Sequence, residues 1–300
     1  MMAISNSRKR KKYTVIAGSH KIHLGDKTKI MGIVNLTPDS FSNDGLFKSG
    51  YTAEKAVGFA KKLIKQGADI IDLGGESTRP GSNRISEKEE IARIIPAIKL
   101  LAKDVSVPIS VDSYKPRVVK MALDAGATIV NDIMGTNPDK SLLKMVKDCN
   151  AAIVLMHIKG IPENMQRNVS YSNLIENIYK ILQKSIEKCF EIGIKSDRII
   201  IDPGIGFGKT LENNLEIVNR LNAFRSLNKP LLIGTSRKSF IGKVLDKEVD
   251  DRLIGTVSTV CTSIIRGAHI VRVHNVAAIK DAVIMTDAIV NEKIIQPDKE

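Results

Sequence analysis

The chain alternates between short apolar runs and longer stretches in which apolar residues recur every three or four positions. The short runs predict buried strands, and the longer pattern predicts amphipathic helices. Apolar runs near residues 32, 71, 110, 129, 154, 200, 232 and 271 give eight strands, each followed by a helical pattern. The helical pattern after the strand near residue 200 covers residues 211–226, and the one after the strand near residue 232 covers residues 252–266. Eight such units in about 260 residues predict a (β/α)8 TIM barrel, and a doubly wound open sheet is the structural alternative.

An internal repeat favours a regularly wound parallel sheet. A helix end, a Gly-Ala pair and a strand recur in that order at residues 65–72, 124–131 and 265–272. Glycine suits the left-handed position just past a helix, and the alanine after it lets helix and sheet approach closely. Each repeat places a polar residue at the far end of its strand.

A short hairpin is predicted ahead of the first barrel strand. Residues 13–17 and 21–24 are strand-like and are separated by a turn at Gly18-Ser19. We expect this hairpin to close the bottom of the barrel. We expect residues 1–12, which contain a basic run, to be a disordered solvated tail. Because no linker divides the rest, residues 13–300 are predicted to form one domain.

The composition narrows the choice of partners. The net charge of +13 favours anionic partners, but the chain has no Trp and 4% aromatic residues, so nucleic-acid binding is disfavoured. We find no apolar run long enough to span a membrane and no secretory signal. Cys149, Cys189 and Cys261 fit buried thiols in a reducing compartment better than disulfides or a metal site. These features predict a cytoplasmic protein without a membrane partner.

Polar residues end several of the predicted strands, at the face where barrels carry their active sites. Asp112, Asn131 and Asp202 each end a strongly apolar strand. Buried acidic and amide groups destabilise a fold unless they are hydrogen-bonded. Together the three offer donors and acceptors to a flat, nitrogen-rich heterocycle. The alternative for each one is a structural cap of the next turn.

Two further features predict an anion site. Arg272 and His274 alternate on the last strand and therefore face the same way. With helix amino termini nearby, they form a natural phosphate or pyrophosphate site, unless the arginine is a structural partner of a carboxylate. Asn35 ends the first barrel strand, where its amide can coordinate a hard cation or bond a phosphate. A plain strand-to-helix turn is the alternative there.

A glycine-rich segment runs from Asp202 to Thr210. It is not a P-loop, because Pro203 stands where that motif needs glycine. It is not a dinucleotide fingerprint either, because the third glycine would fall at Lys209. We expect the glycines to allow a tight loop that a planar ligand can approach.

Six motifs resemble dihydropteroate synthase, and they occur in that family's order over essentially the whole chain after the tail. They are N-L-T-P-D-S-F-S-N-D-G (Asn35–Gly45), G-G-E-S-T-R-P-G (Gly74–Gly81), S-V-D-S-Y-K-P (Ser110–Pro116), D-P-G-I-G-F-G-K (Asp202–Lys209), S-R-K-S-F-I-G (Ser236–Gly242) and R-V-H (Arg272–His274). One departure is Asn275, where the family is expected to carry Asp.

The resemblance implies condensation of 6-hydroxymethyl-7,8-dihydropterin diphosphate with 4-aminobenzoate to give 7,8-dihydropteroate and pyrophosphate, a step of folate synthesis. It implies SN1-like departure of the diphosphate, Mg²⁺ as cofactor, sulfonamides as inhibitors, and a homodimer. The helices at 252–266 and 276–291 are the expected dimer interface. No Ser–His or Cys–His pair is needed, because an arylamine is already a nucleophile.

Residue roles carry over by motif. The implied pterin site comprises Asp112, Asn131, Met156, Asp202 and Lys238. The implied diphosphate site comprises Asn35, Thr78, Arg272 and His274, with Asn35 on the Mg²⁺. The implied 4-aminobenzoate pocket comprises Phe41, Phe207 and Ser236. The implied catalytic residues are Asp39, Asp202 and Lys238, and loops 37–43 and 77–82 are expected to close over the site.

Two other functions compete with this one. A methyltetrahydrofolate-binding methyltransferase domain would share the pterin pocket but has no reason to carry the anion pair or the Asn35 loop. An inactive pterin-binding scaffold would have no need of Asn35, Lys238, Arg272 and His274.

Overall fold

The computed structural model describes residues 9–37, 52–78 and 81–294. The chain first forms an antiparallel hairpin of β1 (Tyr13–Ala17) and β2 (His20–Leu24). Its inward side chains pack on apolar residues at the amino ends of the barrel strands, including Ile70, Ile129 and Ile270. The hairpin therefore forms the floor of the barrel, as predicted.

Eight parallel strands follow, and each is largely buried, which explains why each is an almost continuous apolar run. They are β3 (Lys29–Asn35), β4 (Ile70–Gly74), β5 (Ile109–Asp112), β6 (Ile129–Asp132), β7 (Ala152–Met156), β8 (Ile199–Asp202), β9 (Leu232–Ile233) and β10 (Ile270–Val273). Their order in the sheet is β8-β7-β6-β5-β4-β3-β10-β9. A parallel bridge between Ile201 and Leu231 joins the two outer strands. The TIM barrel is confirmed, and the open-sheet alternative is wrong.

Helices surround the barrel and bury their apolar faces against it. The structure has α1 (Ala53–Lys65), α2 (Glu87–Asp104), α3 (Pro116–Asp124), α4 (Lys140–Asp148), α5 (Leu174–Ile192), α6 (Leu211–Asn219), α7 (Ser239–Leu245), α8 (Leu253–Ile265) and α9 (Val276–Asn291). The helix predicted over 211–226 is instead divided into α6 and a 3-10 segment, Leu221–Leu227. None of these described helices is long and apolar enough to cross a membrane.

The glycine of each Gly-Ala repeat has the predicted left-handed backbone. The φ angles of Gly67, Gly126 and Gly267 are +101°, +113° and +110°. The alanines that follow are all buried. At Gly126 a Cβ would lie 2.5 Å from the Cβ of Ala102. The repeat therefore marks three places where a helix turns sharply into a strand.

At Arg10 the structure differs from the predicted solvated tail. The side chain of Arg10 is fully buried beneath the barrel, where Nη2 lies 2.5 Å from Asp287 Oδ1 and Nη1 donates to the Ala268 carbonyl at 2.9 Å. Asp287 also accepts from the Thr28 amide at 2.5 Å. A guanidinium that meets a carboxylate can be buried, so Arg10 is not part of a solvated segment. That residues 13–300 form one domain stays a prediction.

Candidate active site

Six of the thirteen predicted site residues lie at the carboxyl ends of the strands. Asn35, Asp112, Met156 and Asp202 are the last residues of their strands, and Asn131 and Arg272 lie one residue before the end of theirs. Because all eight strands are parallel, these ends meet at one rim of the barrel. Asp39 and Phe41 lie outside the residues that the structure describes.

Arg272 holds two carboxylates together. Its Nε donates to Asp72 Oδ2 at 2.6 Å, and its Nη2 donates to Asp112 Oδ2 at 2.6 Å. Burial opposes the charge of Arg272, but the two carboxylates outweigh it and raise the pKa of the guanidinium. Burial raises the pKa of Asp112 to about 7, while Arg272 opposes that shift. The Arg–carboxylate pairing that the sequence left as an alternative is thus present.

Asp72 is a site residue that the sequence analysis did not single out. It is fully buried on β4 and accepts from Asn131 Nδ2 at 3.3 Å as well as from Arg272. It thereby joins two predicted site residues. Within the described part of the chain, neither Asp72 Oδ1 nor Asp112 Oδ1 has a hydrogen-bond partner. An aspartate inside an apolar strand was the available signal.

Gly74 leaves space between two polar residues. It is paired with Asn35 on one side and with Asp112 on the other. A Cβ at this position would lie 3.5 Å from Asp112 Oδ2 and 3.6 Å from Asn35 Oδ1. The Asn35 amide oxygen and the Asp112 carboxylate therefore both lie next to the position that a side chain would occupy at Gly74.

Asp202 and Lys238 lie close enough for each to influence the charge of the other. Burial raises the pKa of Asp202, while Lys238 opposes that shift. Burial lowers the pKa of Lys238 to about 8, while Asp202 opposes it. The Lys238 ammonium donates to the Ile205 carbonyl and lies 4.6 Å from the centroid of the Phe207 ring. The contact connects the implied pterin and 4-aminobenzoate residues.

The glycine-rich loop is tight, as predicted. Gly204, Gly206 and Gly208 have φ angles of +71°, +83° and +63°. A Cβ at Gly204 would lie 1.9 Å from the His157 carbonyl oxygen, and one at Gly208 would lie 2.4 Å from the Lys159 carbonyl oxygen. At these two positions glycine is therefore required by close packing against the loop that follows β7.

Ser236 and His274 contact each other across two strands. Ser236 Oγ accepts from the His274 amide at 3.3 Å and lies 3.0 Å from His274 Nδ1. β10 ends at Val273, so His274 is just beyond the strand. Arg272 bonds toward β4 and β5, whereas His274 bonds toward the loop after β9. The two members of the predicted anion pair therefore have different protein partners.

The remaining predicted residues lie in two places. Met156 and Phe207 are buried in one apolar cluster with Ile133, Ile158 and Met165. Thr78 is half-buried in the loop after β4. Glu76 holds the start of that loop in place, since it accepts from the Ile85 amide at 3.0 Å and from Lys115 Nζ at 2.6 Å.

A buried contact between Lys209 and His157 was also missed by the sequence analysis.

Comparison with known proteins agrees with this geometry. A family model described as "pterin binding enzyme" matches residues 31–274. The dihydropteroate synthase of Clostridium beijerinckii is 45% identical over 274 residues, which are 91% of this chain and 98% of that protein. The Yersinia pestis dihydropteroate synthase in a sulfonamide complex gives a TM-score of 0.87 at 35% identity, covering 93% of this chain and 99% of that one. The Xanthomonas albilineans enzyme with 4-aminobenzoic acid gives 0.85 at 36% identity, covering 93% and 98%.

Proposed function

The chain belongs to the dihydropteroate synthase family of pterin-binding enzymes, and from that membership we infer that it is a transferase joining dihydropterin diphosphate to 4-aminobenzoate. The products are 7,8-dihydropteroate and pyrophosphate. The observation that carries this assignment is the ring of charged and amide groups at one rim, in which Arg272 links Asp72 and Asp112 and Asp72 accepts from Asn131.

Asp112, Asn131 and Asp202 are proposed to hold the pterin. A pterin presents ring nitrogens and an amino group along one edge, and carboxylate and amide side chains match such an edge. Asp112 Oδ1, which has no hydrogen-bond partner among the described residues, gives one acceptor for it. Met156 packs on the ring face, and Lys238 supplies a donor beside Asp202.

The reaction begins with loss of the diphosphate. The bond between the pterin methylene carbon and the diphosphate oxygen breaks, and both electrons leave with the oxygen. Arg272 and His274, with Thr78, are proposed to stabilise the departing negative charge, while the buried carboxylates stabilise the cationic carbon. The arylamine nitrogen then forms the new C–N bond and loses a proton to solvent.

Mg²⁺ is proposed as the cofactor, with Asn35 as its protein ligand. In the described ranges, no group of three or more His, Cys, Asp or Glu residues is placed to hold a metal. Mg²⁺ often keeps several waters and takes one or two protein ligands together with substrate phosphates, so an amide oxygen beside Gly74 fits. When bound, the ion would neutralise the charge of the diphosphate.

The 4-aminobenzoate pocket is proposed to lie between Phe207 and Ser236. Phe207 gives an apolar wall, and Ser236 gives a buried hydroxyl beside His274. Sulfonamides resemble 4-aminobenzoate in shape and are proposed to compete for this pocket. Phe41 and the catalytic role of Asp39 remain predictions that fall outside the described residues.

A homodimer through α8 and α9 is also proposed. Both helices expose large apolar side chains, including Ile254 (76% exposed), Met285 (62%) and Ile289 (60%). Apolar patches of this kind commonly mark protein interfaces. Light scattering tests the proposal: a protomer mass for Ile254→Glu, against twice that mass for the unaltered chain, is the expected result. A cytoplasmic location and the absence of nucleic-acid binding remain predictions.

The decisive experiment measures pyrophosphate release by purified protein. Dihydropterin diphosphate is supplied with and without 4-aminobenzoate, and with and without Mg²⁺. We expect full release only when both substrates and the ion are present. Tight binding of methyltetrahydrofolate without any pyrophosphate release would instead favour the methyltransferase function.

A further inference from the structure

Lys209 is a buried lysine that the proposed reaction does not use. Lys209 stands near the end of the glycine-rich loop, directly after Gly208, and is 2% exposed. Its Nζ lies 2.9 Å from the Phe207 carbonyl oxygen, 3.0 Å from His157 Nδ1 and 3.5 Å from the His157 carbonyl oxygen. An ammonium carries three hydrogen-bond donors, so these three acceptors match it.

The imidazole of His157 suits the role of acceptor. His157 is 1% exposed, and burial lowers its pKa well below the ordinary value, as does the nearby charge of Lys209. The neutral ring is therefore favoured, and a neutral imidazole presents one unprotonated nitrogen. Nδ1 faces Lys209, so we assign the ring proton to Nε2.

Lys209 bridges two loops that meet backbone to backbone. One loop follows β7 and covers residues 157–173, and the other follows β8 and covers residues 203–210. Gly204 and Gly208 of the second loop contact carbonyl oxygens of the first. Tyr171 Oη donates to the Gly208 carbonyl at 2.8 Å, and Gln166 Nε2 donates to the Gly206 carbonyl at 2.7 Å.

The two loops contribute side chains to the same apolar cluster. Phe207 is a residue of the second loop, and its ring lies against the Lys238 ammonium. Met156 immediately precedes the first loop and shares the apolar cluster with Phe207. The relative position of the loops therefore decides where the Phe207 ring stands in relation to the pterin and 4-aminobenzoate subsites.

Stability alone does not account for a lysine at this position. Burying an ammonium is unfavourable, and apolar groups of similar volume often replace buried charges without loss of stability. Burial lowers the pKa of Lys209 well below its ordinary value, and only Asp202 opposes that shift among the principal influences on it. The ammonium of Lys209 does join two carbonyl oxygens and an imidazole, and these contacts hold the three groups at fixed positions.

We propose that Lys209 is a positioning residue that fixes Phe207 against the loop after β7 and so shapes the 4-aminobenzoate side of the active site. This role rests on the proposed function, because the substrate that Phe207 meets follows from it. Lys209 acts through the Phe207 main chain and contacts no reacting atom.

The test compares Lys209→Met with Lys229→Met. Lys229 is a matched control, since it is 4% exposed, donates to the Ser196 carbonyl at 3.4 Å and precedes β9 at the opposite end of the barrel. KM for each substrate is measured by pyrophosphate release with the other substrate saturating. We expect Lys209→Met to raise KM for 4-aminobenzoate about tenfold or more, with a much smaller change in KM for dihydropterin diphosphate. Lys229→Met should leave both KM values unchanged.

A second variant covers the case in which Lys209→Met does not fold. His157→Asn removes the imidazole but leaves both carbonyl acceptors, so it should raise KM for 4-aminobenzoate in the same direction by a smaller factor. An unchanged 4-aminobenzoate KM, or an equal rise in both KM values, in a folded variant would overturn the positioning role. Absence of pyrophosphate release from the unaltered protein would defeat the proposed function instead.

Discussion

The two ends of the barrel each bring an arginine and aspartate together, but the two networks differ in completeness. At the floor, the side chain of Arg10 is fully buried, and both oxygens of Asp287 accept hydrogen bonds. At the rim, the Arg272 side chain is 20% exposed, and one oxygen each of Asp72 and Asp112 has no partner among the described residues. In the Arg10–Asp287 network at the floor, Arg10 Nε has no hydrogen-bond partner among the described residues.

The comparison shows that arginine and aspartate together can serve two different purposes. A buried ion pair whose acceptors are satisfied holds chain segments together. A network with buried acceptors left over is unfavourable in the protein alone and improves when a ligand supplies donors. The floor pair is therefore structural, and the rim network is a ligand site.

The strongest test at the rim is Arg272→Met. We expect kcat/KM for dihydropterin diphosphate to fall by about 10²- to 10³-fold, because the variant lacks the cation proposed to meet the departing diphosphate. Stability should also fall, because Asp72 and Asp112 lose their shared partner. Pyrophosphate release and a thermal melt measure the two effects. Near-normal turnover would show that Arg272 does not bind the diphosphate.

The corresponding change at the floor is Arg10→Met. We expect the free energy of unfolding to fall by about 3–5 kcal/mol, since Asp287 is left buried without its cation. Both KM values and kcat of the folded variant should stay unchanged. Urea denaturation measures the loss. Lys12→Met is the control, because Lys12 pairs with Asp26 at 2.6 Å with 72% of its side chain exposed, and such surface pairs contribute little.

Asp132 follows Asn131 as the last residue of β6. Because successive side chains of a strand point to opposite faces, Asp132 points away from the side on which Asn131 lies. Burial raises the pKa of Asp132 to about 7, and the Met134 amide donates to its carboxylate at 2.8 Å. Because the folded-state pKa exceeds the unfolded-state value, the native state binds the extra proton, and this group's contribution to stability falls as pH rises from about 4 to about 7.

The Asp132→Asn variant has no carboxyl group to titrate, so it should not lose stability at this position as the pH rises. Between pH 4 and pH 8 the stability of the variant relative to the unaltered protein should rise, with an upper bound of about 4 kcal/mol. Urea denaturation at the two pH values measures it, and turnover should be retained. Asp139→Asn gives the opposite sign, and only near and below about pH 4, because hydrogen bonding from Ser141 lowers the pKa of Asp139. A pH-independent difference for Asp132→Asn would contradict the prediction.

The smallest effect is expected from Asp72→Asn. The variant keeps a group of the same shape beside Arg272 and Asn131 but loses the charge. We expect kcat/KM for dihydropterin diphosphate to fall about tenfold, with KM for 4-aminobenzoate unchanged. Steady-state kinetics with each substrate varied in turn give the result. A parallel rise in both KM values would show that Asp72 acts only through general stability.

Most of the fold could be predicted because its signals are local. Each barrel strand is an apolar run, and each Gly-Ala repeat marks a helix end by backbone conformation. The short helix α7 was missed, since seven residues give too little periodicity to recognise. The long helical prediction after residue 210 did not reveal the break at Arg220.

The site was predicted as far as its strand ends and family motifs extend. Asp72 was recognised only as the polar end of a repeat, because nothing local shows that it meets Arg272, 200 positions away. Arg10 was taken for part of a solvated basic run, and its partner Asp287 is 277 positions distant. Lys209 entered only as the residue that breaks a glycine pattern. Contacts of this range depend on barrel closure, which the local sequence does not encode.

The close approach at Gly204 and Gly208 also bears on how this enzyme can evolve. Any side chain at either position would collide with a carbonyl oxygen, at 1.9 Å and 2.4 Å from the Cβ, and would adopt a backbone conformation that L-residues disfavour. Substitutions at Gly204 or Gly208 that would narrow the pocket against a competing inhibitor are therefore strongly disfavoured. An inhibitor that draws its affinity from these glycines would meet a surface with few routes to resistance.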